Sequence, residues 1–212
     1  MMTRASVFSA TQIAVLCLTL VGTAALSGCA TNSASPSLFV LDDNQASSSQ
    51  VQPDSAPTLM VDPIDLAPYL DQGGIVYQTA PYRVVIANDN RWAAPLAGGL
   101  TDSLYANLSN SLRGVELTRS SARRRDGYEL QTRIDEFLGH FDGTAHVTGQ
   151  WTLIGPQGNT LDTESFDKRI PLEQDGYPAL VASLSTGWRQ VAADMAPALQ
   201  RSLSQQSGAH AR

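Results

Sequence analysis

Three histidines, His140, His146 and His210, are the side chains best suited to move a proton near neutral pH. His140 and Asp142 flank the hairpin-turn signal Phe141-Asp142-Gly143. Neither a thiol nor a serine on a nucleophile elbow accompanies them. His146 falls on the strand face opposite Val147 and Trp151 and is expected to be exposed, and His210 stands in a polar tail. The chain contains no HExxH, GxSxG, paired-cysteine or phosphate-loop pattern. No catalytic residue and no metal ligand is therefore assigned, and the protein reads as a non-enzyme. An acid/base pair assembled from carboxylates distant in sequence is the catalytic arrangement that spacing leaves open.

Cysteine offers different chemistry. Arg4 is the sole charged side chain before Asp42, and Ile13 to Leu26 is almost wholly apolar or small. That run of 14 residues suits a signal peptide and falls short of the roughly 18 to 20 needed to span a bilayer. It closes with Leu26-Ser27-Gly28-Cys29, which resembles the bacterial lipobox, where the chain is cut before the cysteine and the new terminus is acylated. Cys17 leaves with the signal, so Cys29 is the one cysteine of the processed chain and needs no disulfide partner. The lipid on Cys29 is the expected membrane anchor, and no other cofactor is expected. Ala30 replaces the aspartate that by the same resemblance retains such proteins at the inner membrane. The outer membrane, facing the periplasm, is the expected location.

Charge narrows the partners. The full chain has 14 Lys+Arg against 20 Asp+Glu, and losing Arg4 makes that 13 against 20, a formal charge of −7. An acidic periplasmic surface excludes nucleic acid and a polybasic headgroup site. Lys168 is the only lysine, and Arg123-Arg124-Arg125 reads as a solvated loop.

The elements follow from periodicity. Residues 1–28 form the signal, and 29–57 a lipidated tether holding one short strand, 38–41, and a flexible Ser/Gln/Asp/Pro loop from Asp42 to Pro57. Residues 58–204 make a single α+β domain and 205–212 a polar tail, about 150 residues being ample for one core. Leu59-Met60-Val61 starts a strand that Pro63 and Pro68 confine to an edge or end early. Ile75 to Tyr77 and Tyr82 to Ala87 are strands joined by a proline turn. Leu96, Leu100, Leu104, Leu108 and Leu112 give one apolar helical stripe behind Pro95, ended by Gly114. Tyr128–Leu138, Ala145–Ile154 and Leu161–Leu172 alternate as an antiparallel meander, with a bulge expected near Glu136 where Phe137 breaks phase. A last helix opens at Pro178 with Leu180, Leu184, Trp188, Val191, Met195, Leu199 and Leu203 on one stripe, and Pro197 should kink or interrupt it. The expected fold is α+β: a mixed, mainly antiparallel sheet with two long helices packed on one face.

One stretch carries aromatic and arginine side chains of the kind enriched at protein contacts. Pro68, Tyr69, Leu70, Arg91 and Trp92 are the candidate partner or oligomer contact. Trp92 has a second placement, folded beneath the Leu-striped helix as a hydrophobic staple with Arg91 capping locally. The ordered series VDPIDLAPYL, IVYQ and NRWAAPL behind a lipobox resembles the PqiC-like ABC-type transport auxiliary lipoproteins of MCE/Pqi intermembrane transport systems. The likeness in element order covers most of the processed chain, with sharp matches confined to residues 61 to 108. Departures from the family pattern fall at Gln72-Gly73-Gly74, Gln78 and Ala94. The resemblance implies a non-catalytic outer-membrane lipoprotein in intermembrane lipid transport. It implies docking to a periplasm-spanning MCE-domain partner, as a homo-oligomer. An envelope hydrolase and a binding module for a small hydrophobic ligand are the alternatives.

Overall fold

The computed structural model describes residues 35–41, 56–119 and 127–210, with side chains to residue 206. Cys29, residues 42–55 of the expected loop and the arginine run at 123–125 lie outside the described residues.

The sheet is organised around β7 (Tyr128–Gly139). Tyr128, Leu130, Thr132 and Ile134 are buried on one face while Gln131, Arg133 and Asp135 are exposed on the other. That split is what period-2 alternation over a single core demands. One edge of β7 pairs antiparallel with β8 (Thr144–Ile154), which pairs antiparallel with β9 (Thr160–Pro171), giving the expected meander. The register slips between Ile134 and Glu136, so the bulge sits where Phe137 changed phase and turns that ring into the core.

Three short parallel strands take the other edge of β7 in succession: β2 (Thr58–Val61), β3 (Asp65–Leu66) and β4 (Gly74–Ala80). Proline punctuates this edge. The Asp62 amide still donates to Leu130 O at 3.0 Å, and the Ala67 amide to Ile134 O at 2.9 Å. Pro63 and Pro68, lacking an N–H, follow each of those bonds and cannot extend the ladder. β2 thus ends early, yet it is no edge strand, because β6 (Glu116–Arg119) pairs on its far side.

β5 (Arg83–Trp92) returns antiparallel along β4 and receives β1 (Ser37–Phe39) in parallel at Asn90 to Trp92. The first strand therefore occupies 37–39 rather than 38–41, and it is hydrogen-bonded into the sheet. Parallel pairings are short and the long ladders antiparallel, so the nine-stranded sheet is mixed and mainly antiparallel.

Helix α1 (Leu96–Ser111) buries Leu96, Leu100, Leu104 and Leu108. Helix α2 (Tyr177–His210) buries Leu180, Leu184, Trp188, Val191, Met195, Leu199 and Leu203, and both stripes join one core with Leu130, Ile134, Phe137, Val147 and Trp151. Trp188 locks the helices together: its Nε1 donates to the Leu100 carbonyl at 3.2 Å, a bond a buried indole needs. Gly187 permits close contact with the sheet, since a methyl there would lie 3.0 Å from Val147 Cγ2. Of the kink or interruption expected at Pro197, the interruption does not occur; α2 runs through it. Proline inside a helix costs ~3 kcal/mol. Burial of Met195, Ala196, Ala198 and Leu199 around it offsets that cost.

Candidate functional site

The stretch from Pro68 to Trp92 divides its side chains between the core and the surface. Leu70 is fully buried and Trp92 is 8% exposed. The Trp92 ring lies tilted 6.0 Å from Phe137, and its amide donates to Gly73 O at 2.9 Å. Of the two placements for Trp92, the core is the one found; Leu70, also offered as a contact residue, is a core side chain too. Pro68 and Arg91 are exposed and Tyr69 is half-buried. Strand pairing sets Arg91 beside Gly74, and the guanidinium lies over Gly73, where a methyl would meet Nη2 at 2.4 Å. Gly73, one of the departures from the family pattern, thus makes room for Arg91.

Tyr69 ties the Pro68 turn to the sheet. Its hydroxyl donates to Asp135 O at 2.6 Å. Burial, then the carboxylates of Glu136 and Asp135, push the phenol up to about 12. Folding thus favours the neutral phenol. The stabilisation is full below the unfolded value of about 10 and is lost as pH rises through about 12. Tyr69→Phe is expected to lower stability by about 1 kcal/mol at neutral pH, the usual net value of one hydrogen bond. Its stability should also fall less between those two pH values than that of the unmodified chain. Urea unfolding across that window checks both; parallel curves would remove Tyr69 from this role.

The neighbouring outward face is polar and self-paired. Arg133 Nη1 meets Asp65 Oδ2 at 2.7 Å and its Nε meets Asp135 Oδ1 at 3.1 Å, an exposed clamp of β3 on β7.

At the β7–β8 turn the expectation for His146 is half right. Its side chain does project opposite Val147 and Trp151, paired with Leu138 and Arg169, but it is buried, not exposed. Alternation assigns a face and not what covers it. Here His140 stacks on the ring, centroids 4.4 Å and 4° apart, and Glu136 Oε2 stands 3.5 Å from Nδ1. His140 Nδ1 lies 3.0 Å from Asp142 Oδ1. The Thr144 hydroxyl donates to the same oxygen at 2.5 Å and its amide at 3.0 Å. These bonds, the Thr144 hydroxyl foremost, hold the Asp142 carboxyl below the usual range. Because the hydroxyl donates to the carboxylate and not to an imidazole, the trio lacks the nucleophile–base order of an acyl-transfer site.

Comparison with known proteins converges on one family. Residues 39–196 match the model of the ABC-type transport auxiliary lipoprotein component. The chain is 33% identical over 177 residues to the Intermembrane transport lipoprotein PqiC of Escherichia coli K12, covering 83% of this chain and 92% of that protein. The Shigella flexneri protein of the same name matches equally. A crystal structure of an uncharacterized protein superposes with a TM-score of 0.67 at 31% identity, over 78% of this chain and 99% of that one. XCC0632 from Xanthomonas campestris shares the fold, with a TM-score of 0.64 at 17% identity, over 82% of this chain and 97% of that one. By family match and by identity across most of both chains, this protein belongs to the ABC-type transport auxiliary lipoproteins.

Proposed function

We propose that the chain is a non-catalytic, lipid-anchored component of an MCE/Pqi-type system for intermembrane lipid transport. The observation that carries this reading is the 33% identity that spans 92% of an intermembrane transport lipoprotein. The lipobox cysteine at Cys29, with Ala30 behind it, supports attachment to the periplasmic face of the outer membrane. Pro68, Tyr69 and Arg91 supply the surface that meets an MCE-domain partner or a second copy. Arginine and tyrosine suit such a contact because they give wide contact area and directed hydrogen bonds at modest entropic cost. Leu70 and Trp92 act beneath it, fixing the turn and strand end that present those side chains.

The full chain, solubilised in mild detergent from its own membranes, should co-purify with an MCE-domain protein or an ABC subunit. Arg91→Ala should weaken that association by about 2 kcal/mol if the residue is an anchor of the contact. Outer-membrane density on a sucrose gradient is expected for the unmodified protein. A monomer without such a partner that turns over an envelope lipid or glycan, losing turnover when one carboxylate is replaced, would defeat the proposal.

A further inference from the structure

The β7–β8 hairpin holds three donor side chains that the transport reading does not use. His140, Asp142 and His146 are spaced H-x-D-x3-H, and the turn folds that spacing back on itself. One ligand atom from each lies within 4.8 Å of the other two. The scaffold beneath them is firm: the His140 amide donates to Thr144 O at 2.7 Å, and Gly143 takes the left-handed φ of 83° that closes the turn. Asp142 is oriented by the Thr144 bonds, both of which go to Oδ1.

His146 supplies an independent observation. Its side chain is 10% exposed, and its Nε2 is buried without a hydrogen-bond partner. Native folds match nearly all such atoms. Glu136 Oε2 stands 3.5 Å from the other ring nitrogen, Nδ1. A carboxylate on that side favours the proton on Nδ1, and Nε2 is then a bare lone pair. A carboxylate behind an imidazole is the arrangement that orients metal-ligating histidines and raises their basicity.

We propose that His140, Asp142 and His146 form a binding site for a divalent transition ion, Zn2+ above all. Two imidazole nitrogens and one carboxylate oxygen suit Zn2+, whereas Ca2+ and Mg2+ take all-oxygen sets. Three protein ligands leave a fourth tetrahedral position for water or for a side chain from another molecule. The proposal departs from the expectation of no metal ligand, which rested on known linear patterns, whereas this constellation is made by a turn.

Binding requires a defined movement. Parallel imidazoles 4.4 Å apart send their lone pairs along planes that do not meet at one ion. One ring must turn, and His140 is the freer, lying at the rim with a side chain 20% exposed. The ligand atoms must also close to roughly 3.3 Å, the spacing set by bonds of about 2.0 to 2.1 Å to one tetrahedral ion.

The test uses the full chain without a histidine tag, in detergent, stripped by chelator and titrated with Zn2+ against a chromogenic competitor. About one saturable site per chain is expected, with a raised Tm, and Co2+ in its place should give the intense visible bands of tetrahedral coordination. His140→Ala and Asp142→Asn should each weaken binding at least about tenfold, and Glu136→Gln by roughly 10- to 100-fold, the usual effect of losing a carboxylate behind a ligand. His210→Ala should bind as the unmodified chain does. His146→Ala should also lose the site; if it fails to fold, the His140 and Asp142 variants still decide. Absence of saturable Zn2+ binding, affinity unchanged in both of those variants, loss in His210→Ala, or equal occupancy by Mg2+ would each overturn the proposal.

Discussion

Trp92→Ala is expected to lower the stability of the domain by roughly 3 to 5 kcal/mol, the cost of removing a buried tryptophan. Arg91→Ala, one residue away, should change it by less than about 0.5 kcal/mol. The two side chains leave β5 on opposite faces. Trp92 is the last residue of the strand, paired with Phe39 on one side and hydrogen-bonded through its amide to Gly73 on the other. Its ring packs on Phe137. A void there is enclosed by hydrogen-bonded backbone on both flanks, so the site has little freedom to collapse, and the upper part of the range applies. Urea unfolding of the two variants, read by far-ultraviolet circular dichroism, makes the comparison. A Trp92→Ala chain that unfolds with the unmodified midpoint would refute a core role. The same pair divides stability from assembly: in the proposed contact, Arg91→Ala loses partner affinity while melting unchanged.

The elements that periodicity specifies were readable from sequence. Tyr128, Leu130 and Ile134 fixed the inward face of β7. The phase break at Phe137 located its bulge, and leucines at fours located α1, because each pattern records one element meeting one core. Residue type, not periodicity, singled out Pro68, Tyr69, Leu70, Arg91 and Trp92. What sequence did not disclose is which edges meet. β2, β3 and β4 share one edge of β7 in tandem, and β1 joins β5 from more than fifty residues upstream. Such parallel pairings are decided by tertiary packing and leave no local pattern. The burial of His146 escaped for a related reason. Its cover comes from His140, which lies diagonally across the hairpin, and from Glu136 past the bulge. Both neighbours depend on the cross-strand register at the turn end of the hairpin, where Glu136 pairs with Thr148 and Leu138 with His146. Pro197 shows the converse: a strong local signal overridden by apolar faces that continue on either side of it.

Cys29→Ala is expected to abolish covalent lipid incorporation and with it stable membrane attachment. Cys29 follows Leu26-Ser27-Gly28 and is the one cysteine beyond the apolar run, so no second thiol of the processed chain can substitute for it. Burial of an acyl chain contributes about 0.8 kcal/mol per methylene, and one chain alone gives only marginal, reversible binding. The proposed anchor, a diacylglycerol joined to Cys29 by a thioether and an amide-linked chain on the new amino group, carries three acyl chains and exceeds that threshold, so its loss should shift partition by orders of magnitude. The variant should also escape cleavage, because the cut precedes the modified cysteine, and run larger by the signal of residues 1–28. An uncleaved precursor keeps its 14-residue apolar run and can sediment weakly with membranes. The decisive reading is therefore the label: growth with radioactive palmitate, then electrophoresis of the purified chain. Incorporation equal to that of the unmodified protein would place the lipid elsewhere and remove Cys29 as the anchor. Ala30→Asp adds a finer readout, since the residue after the acylated cysteine is proposed to direct the protein outward. That variant should keep its label and move to inner-membrane density, and an unchanged density would show that Ala30 does not set the destination.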